Sequence, residues 1–224
     1  MDIPFYQSVT VTVPNVLPEV TTERLSLRPV EHEDVFHLFV VRQQAELFNY
    51  PWFPDKKIED TIVFLEGRFF TNGPERIRGR SFFYVLRIKP TGSNPNASPV
   101  IGWVSLLSIA PVPELFCAIH PRCSRLRFMT EAVKAVLNVW WSFPRMKNEW
   151  RLHVDEPEYV YAACITHNIA GEKLLKKCGF EKYSSEETER KGAMTFRIGK
   201  VFPVTPTRPT GETIEKPVSF EGIL

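Results

Sequence analysis

The chain predicts an α+β fold in which helices lie on a largely antiparallel sheet, and three stretches carry that expectation. The run from Phe128 to Trp141 is apolar except for Thr130, Glu131, Lys134 and Asn138, a narrow polar stripe at helical spacing on an otherwise buried rod. Such a rod needs a sheet beneath it. Two β-rich runs, Ser81 to Lys89 and Val100 to Ile109, flank a polar connection containing Pro90, Gly92, Asn94 and Pro99, and they read as an antiparallel pair. Tyr159 to Ile165 has the length and continuity of a buried strand.

The 224 residues, 43% of them hydrophobic, are enough for one sizeable core with tails. The expected division is an arm or edge strand over 1–20, a domain over 21–200 and a proline-punctuated tail over 201–224. With 28 basic against 26 acidic residues, the net charge of +2 gives no reason to invoke nucleic acid, so any basic patch is local. No apolar run reaches membrane-spanning length and Met1 to Tyr6 lack the pattern of a secretory leader, so no membrane association and a cytoplasmic location are expected. The four cysteines then read as reduced thiols. Cys117-x-x-His120 and Cys164-x-x-His167 have the spacing of zinc half-sites, but strand positions three apart point to opposite faces, and no metal is expected.

Taken in order, Leu25 and Leu27 alternate within a strand closed by Pro29. Glu31, Glu33 and Asp34 suit the first turn of a helix reaching to about Phe48. The prolines of Phe48 to Pro54 break it, and the rings of Tyr50, Trp52 and Phe53 there either line a pocket or fill a gap between helices. Ile58, Ile62, Leu65 and Phe69 mark a second helix. After the antiparallel pair, a strand over about 114–119 ends at His120-Pro121, and Pro144 stops the long helix. Asn168 is a candidate N-cap for a short helix over 170–178, with Gly179 at a left-handed C′ position and Phe180 folding back on Leu175. A turn and a strand near 193–198 complete the domain.

Between strand and long helix stands Arg122-Cys-Ser-Arg-Leu-Arg127, a basic loop running into a helix start. Unpaired backbone N–H groups and the positive dipole end there make a natural anion site, and Arg122, Arg125 and Arg127 are within a loop's reach of it. A phosphorylated ligand fits that description.

Four segments in this order, Thr22-Glu-Arg-Leu-Ser-Leu-Arg-Pro29, Ile101-Gly-Trp-Val104, Phe128-Met-Thr-Glu-Ala132 and Asn168-Ile-Ala-Gly-Glu-Lys-Leu-Leu-Lys-Lys-Cys-Gly-Phe180, resemble the GNAT superfamily of acyl-CoA N-acyltransferases over about residues 20–200. They are most similar to the branch that includes the ribosomal-protein N-terminal acetyltransferases. The resemblance implies a mixed, mostly antiparallel sheet splayed into a V with helices on both faces. It implies acetyl-CoA or another acyl-CoA as cosubstrate, lying between the strand that ends near His120 and the strand that ends near Ile165. The diphosphate would rest on amides of the loop Arg125, Leu126, Arg127, Phe128 and Met129, with Ile119, Arg122 and Ser124 also among the cofactor-binding residues and Asn168 touching the pantetheine arm.

Four positions depart from the pattern. Arg127 and Met129 replace the small residues of the family loop, and Gly171 and Leu175 stand where relatives carry a serine or tyrosine acid. His120, beside the expected thioester, and Glu114, acting through water, are the candidate bases; His153, Asp155 and Glu156 are fallbacks. Tyr50, Trp52, Phe53, Tyr84 and Trp103 would favour a partly apolar small-molecule amine, with protein N-termini also open. The alternative is a GNAT scaffold that has lost transfer and uses its cleft for ligand binding or a cofactor-free cyclisation or decarboxylation. A homodimer is left open.

Overall fold

The computed structural model describes residues 9–14, 16–45, 53–66, 82–92, 98–108, 112–147, 157–184 and 193–202. Eight strands form one sheet: β2 Val20–Thr21, β3 Leu25–Pro29, β4 Phe82–Ile88, β5 Val100–Ser108, β6 Glu114–Ile119, β8 Glu158–Ile165, β9 Glu181–Ser184 and β10 Ala193–Lys200. They lie side by side in the order β2-β3-β4-β5-β6-β8-β10-β9. Every neighbouring pair is antiparallel except β6 with β8. β1 (Val9–Val11) pairs separately with β7 (Arg145–Lys147), holding the N-terminal arm against the end of the long helix.

Strand alternation divides the core between two faces. On one, Leu25, Leu27, Tyr84, Leu86, Val104 and Leu115 meet α3 (Phe128–Ser142) and α4 (Ile169–Lys177). On the other, Phe83, Val85 and Trp103 meet α1 (Val35–Arg42) and α2 (Ile58–Glu66). The long helix is placed as its stripe predicts: Ala132, Val133, Val136 and Trp140 are fully buried, while Lys134 and Asn138 face solvent.

The first helix differs from expectation at both ends. Asp34 does not face solvent at the dipole; it is wholly buried, taking both Nη atoms of Arg28 at 2.8 Å, Arg87 at 3.3 Å and the Glu31 amide at 3.0 Å. The helix stops at Arg42 rather than near Phe48, because Arg42 is drawn into a fork with Asp55 (2.7 and 2.9 Å) and its carbonyl accepts the Asp55 amide. β2, β7 and β9 are strands the sequence reading did not place.

Candidate active site

The parallel pair opens the sheet. β6 and β8 are in register only at Glu114 and Tyr161, where the Tyr161 amide donates to Pro113 O at 2.9 Å. Beyond that point β6 follows β5 and β8 follows β10, so the two strands diverge toward Ile119 and Ile165 as a V. The His120 amide bonds to Ile101 O on β5, so alternation turns the amides of Cys117 and Ile119 the other way, into the gap. Gly102 permits this close β5–β6 approach: a Cβ there would stand 2.3 Å from Ala118 O and 2.9 Å from Ile119 Cα.

One arm of the V leads into the basic loop. Pro121–Cys123 form a 3-10 turn started by His120, whose Nδ1 accepts the Arg122 amide at 3.2 Å. Arg125 and Arg127 then adopt left-handed torsions, φ 62° and 64°. Each costs a non-glycine residue about 1–2 kcal/mol, so the backbone keeps the shape glycine would take although the residue is arginine. Arg127 caps α3 with no side-chain bond, and the first helical bond runs from Glu131 N to Arg127 O. The amides of Phe128, Met129 and Thr130 therefore precede the helical ladder. Arg122, Ser124, Arg125, Leu126 and Arg127 are exposed, whereas the side chains of Phe128 and Met129 are buried and only their backbone can meet a ligand.

Arg24, just before β3, holds this junction. Its Nη1 donates to Leu126 O at 3.0 Å, its Nε and Nη2 to Glu131 Oε2 at 2.8 and 2.7 Å, and its guanidinium lies 4.7 Å from the centre of the Phe128 ring. The Arg24 amide and the Thr22 hydroxyl donate to Glu131 Oε1. Burial alone would raise the Glu131 carboxyl, but Thr22 and Arg24 outweigh it and hold it below the usual glutamate range. Nothing local marks Thr22, Arg24 or Glu131 for the site; their signal in the sequence is that they fall within the resembling segments.

On the other arm Asn168 caps α4, its Oδ1 accepting the Gly171 amide at 2.8 Å. The helix ends in a Schellman turn: Phe180 N donates to Leu175 O, Gly179 N to Lys176 O, and Gly179 has φ 92°. Leu175 is buried. Neither it nor Gly171 offers a hydroxyl to the gap.

The two candidate bases differ. Glu114 is half-buried, and burial raises its carboxyl above the ordinary range. It shares a sheet face with Phe116 and Ala118, on the α1–α2 side. His120 is engaged as a turn cap, its Nδ1 accepting the Arg122 amide. The fallbacks His153, Asp155 and Glu156 lie outside the described residues, as do Tyr50 and Trp52. Phe53 is exposed.

Tyr84 and Trp103 require correction. Both are fully buried and pack on opposite sheet faces, Tyr84 with its hydroxyl on Pro18 O and Trp103 stacked on Phe83, so neither presents a surface to an acceptor and they cannot line one pocket. The cysteines are all free. Burial, with Cys178 and Cys164 nearby, pushes the Cys117 thiol up to about 12, and burial takes Cys178 to about 11, so neither is a thiolate at neutral pH. Among the described residues no three His, Cys, Asp or Glu side chains group to hold a metal ion, and no helix is long and apolar enough to cross a membrane.

A family model described as the acetyltransferase (GNAT) domain matches residues 24–181, and the chain belongs to this family. Its sheet and helices form the GNAT fold, and it is a GNAT-type N-acetyltransferase, an enzyme class that uses acetyl-CoA. Solved structures share the fold at low identity. A protein assigned as a ribosomal-protein-serine acetyltransferase from Vibrio cholerae has 15% identity and TM-score 0.58, over 81% of this chain and 97% of its own. A GNAT-family acetyltransferase from Bacillus anthracis has 15% identity and TM-score 0.57, over 82% and 98%. The spermidine N-acetyltransferase from Vibrio cholerae, in complex with CoA and spermine, has 15% identity and TM-score 0.55, over 80% and 96%. Among curated proteins, none matches the chain significantly.

Proposed function

We propose that the protein transfers an acetyl group from acetyl-CoA to the amine of a partly apolar small molecule, by direct attack on the thioester within the V. The observation that carries this is the loop backbone: left-handed torsions at Arg125 and Arg127 set an exposed basic turn before the free amides of α3, a cradle for a diphosphate. Ser124 and Arg122 border it, and the pantetheine arm would run along the β6 edge past Ile119, with Asn168 on the facing arm. The inward amides of Cys117 and Ile119 would polarise the thioester carbonyl. Glu114 would take the proton of the attacking amine through water, its raised carboxyl suiting that exchange. The thiolate leaves without a hydroxyl acid.

The acceptor would enter on the α1–α2 side beside Phe116 and Ala118, with the exposed Phe53 of the α1–α2 connection a further ring for it to meet. A protein N-terminus is the second reading, favoured by the resemblance of the Thr22 to Pro29 segment to the ribosomal-protein branch. The proposal includes a cytoplasmic location and a domain over about 21–200 flanked by arm and tail. Calorimetric titration with coenzyme A tests the cradle, and an amine and peptide screen with acetyl-CoA and thiol detection tests transfer. Saturable micromolar binding weakened by Arg125→Ala is the expected result. No binding at millimolar coenzyme A would leave the scaffold that has lost transfer.

A further inference from the structure

We propose that Arg24 and Glu131 form a positioning pair that holds the Leu126–Arg127 peptide in its diphosphate-receiving orientation, doing for an arginine-containing loop what glycine's backbone freedom would otherwise do. This rests on the reading of the loop as a coenzyme A site.

Left-handed torsions on two arginines separated by a single leucine persist only where surrounding contacts over-determine the backbone. Here the contacts are identifiable. The Leu126 carbonyl, between the two strained residues, is turned toward Arg24 Nη1. In a trans peptide the N–H lies opposite the C=O, so the same bond aims the Arg127 amide away from Arg24. Glu131, in the first turn of α3, takes two more N–H groups of the same guanidinium, so loop and helix are tied by one planar fork. The fork is itself fixed to the sheet: Lys89 N donates to Arg24 O at 2.9 Å and Lys89 Nζ to Thr22 O at 3.0 Å. The pair touches the loop from behind and contributes no atom to the cradle; it acts through the backbone.

The test uses the full chain with Arg24→Met, which keeps a stem over Phe128, and Glu131→Gln, which keeps shape without charge; Arg24→Lys keeps charge without the fork. Melting curves confirm that each folds. Calorimetric titration with coenzyme A should give a Kd raised about tenfold in all three, the scale of one lost charge-assisted hydrogen bond. The KM for acetyl-CoA should rise in step with kcat unchanged, while the KM for acetyl-pantetheine, which has no diphosphate, should not move. Wild-type affinity in the variants would overturn the proposal, and so would an equal rise in KM for acetyl-pantetheine. Wild-type protein that binds no coenzyme A would instead overturn the functional reading beneath it.

Discussion

Asn168 occupies the space that a side chain on Gly171 would need. A Cβ at Gly171 would stand 2.7 Å from Asn168 Nδ2, 2.9 Å from its Cγ and 3.0 Å from Cys164 Sγ. The glycine and the N-cap are therefore linked: α4 lies so close to β8 that a serine here, which the resemblance led one to expect, would have to displace the cap. Gly171→Ser should not create an acid. It should push Asn168 off the cap, a loss of about 1 kcal/mol, and crowd a buried thiol. Urea unfolding should show the lower stability with kcat no higher than wild type; a Gly171→Ser variant that turned over faster would show that the acid was merely absent.

Glu114 carries opposing consequences for stability and chemistry. Its folded carboxyl is raised by burial, so the native state holds its proton to higher pH than the unfolded chain. That contribution is complete below the ordinary glutamate range and is lost as pH rises through the raised value. Glu114→Gln removes the penalty, and the variant should gain stability relative to wild type at neutral pH and none in acid. As a base its loss should cost roughly a hundredfold or more in kcat. Denaturant midpoints at two pH values and steady-state rates check both; unchanged kcat removes Glu114 from the reaction.

The elements readable from sequence are those with strong local patterns. Leu25 and Leu27 alternate and are both fully buried, Gly179 takes the torsion that only glycine accepts cheaply, and the α3 stripe names its own exposed face. β2 and β7, two and three residues long, exist through their partners rather than through their own periodicity. The mistaken placement of Tyr84 and Trp103 has a related cause. Phe82 to Leu86 and Val100 to Leu106 are all buried, so neither run has an exposed side from which to read which face each ring takes. Arg24 and Glu131 are 107 positions apart, and nothing local in either segment announces the fork.

Gly102 should be intolerant of any side chain. Its Cβ would meet Ala118 O at 2.3 Å and Ile119 Cα at 2.9 Å, backbone atoms that can yield only if β5 and β6 part. Gly102→Ala should lower stability by roughly 1–3 kcal/mol, the range for overpacked interiors. Because Ile119 borders the proposed thioester site, the KM for acetyl-CoA should rise as well. A stable variant with wild-type KM would mean that the β6 arm adjusts freely.

Glu131 should impose an acid limit on the loop. Its folded carboxyl lies below the usual glutamate range, held there against burial by Thr22 and Arg24. The unfolded chain therefore binds the proton first as pH falls. The stabilisation is fully present above the unfolded value, about 4.3 for glutamate, and is lost as pH drops through the lowered folded value. Protonated Glu131 no longer pairs with the Arg24 fork, so coenzyme A affinity should decline over the same interval. Glu131→Gln should remove that interval: its melting temperature should track the wild type's on further acidification below the transition and fall short of it above. Parallel curves across the whole range would mean that the pairing adds nothing to the fold. A matching acid decline in coenzyme A binding by the Glu131→Gln variant would place the responsible proton elsewhere.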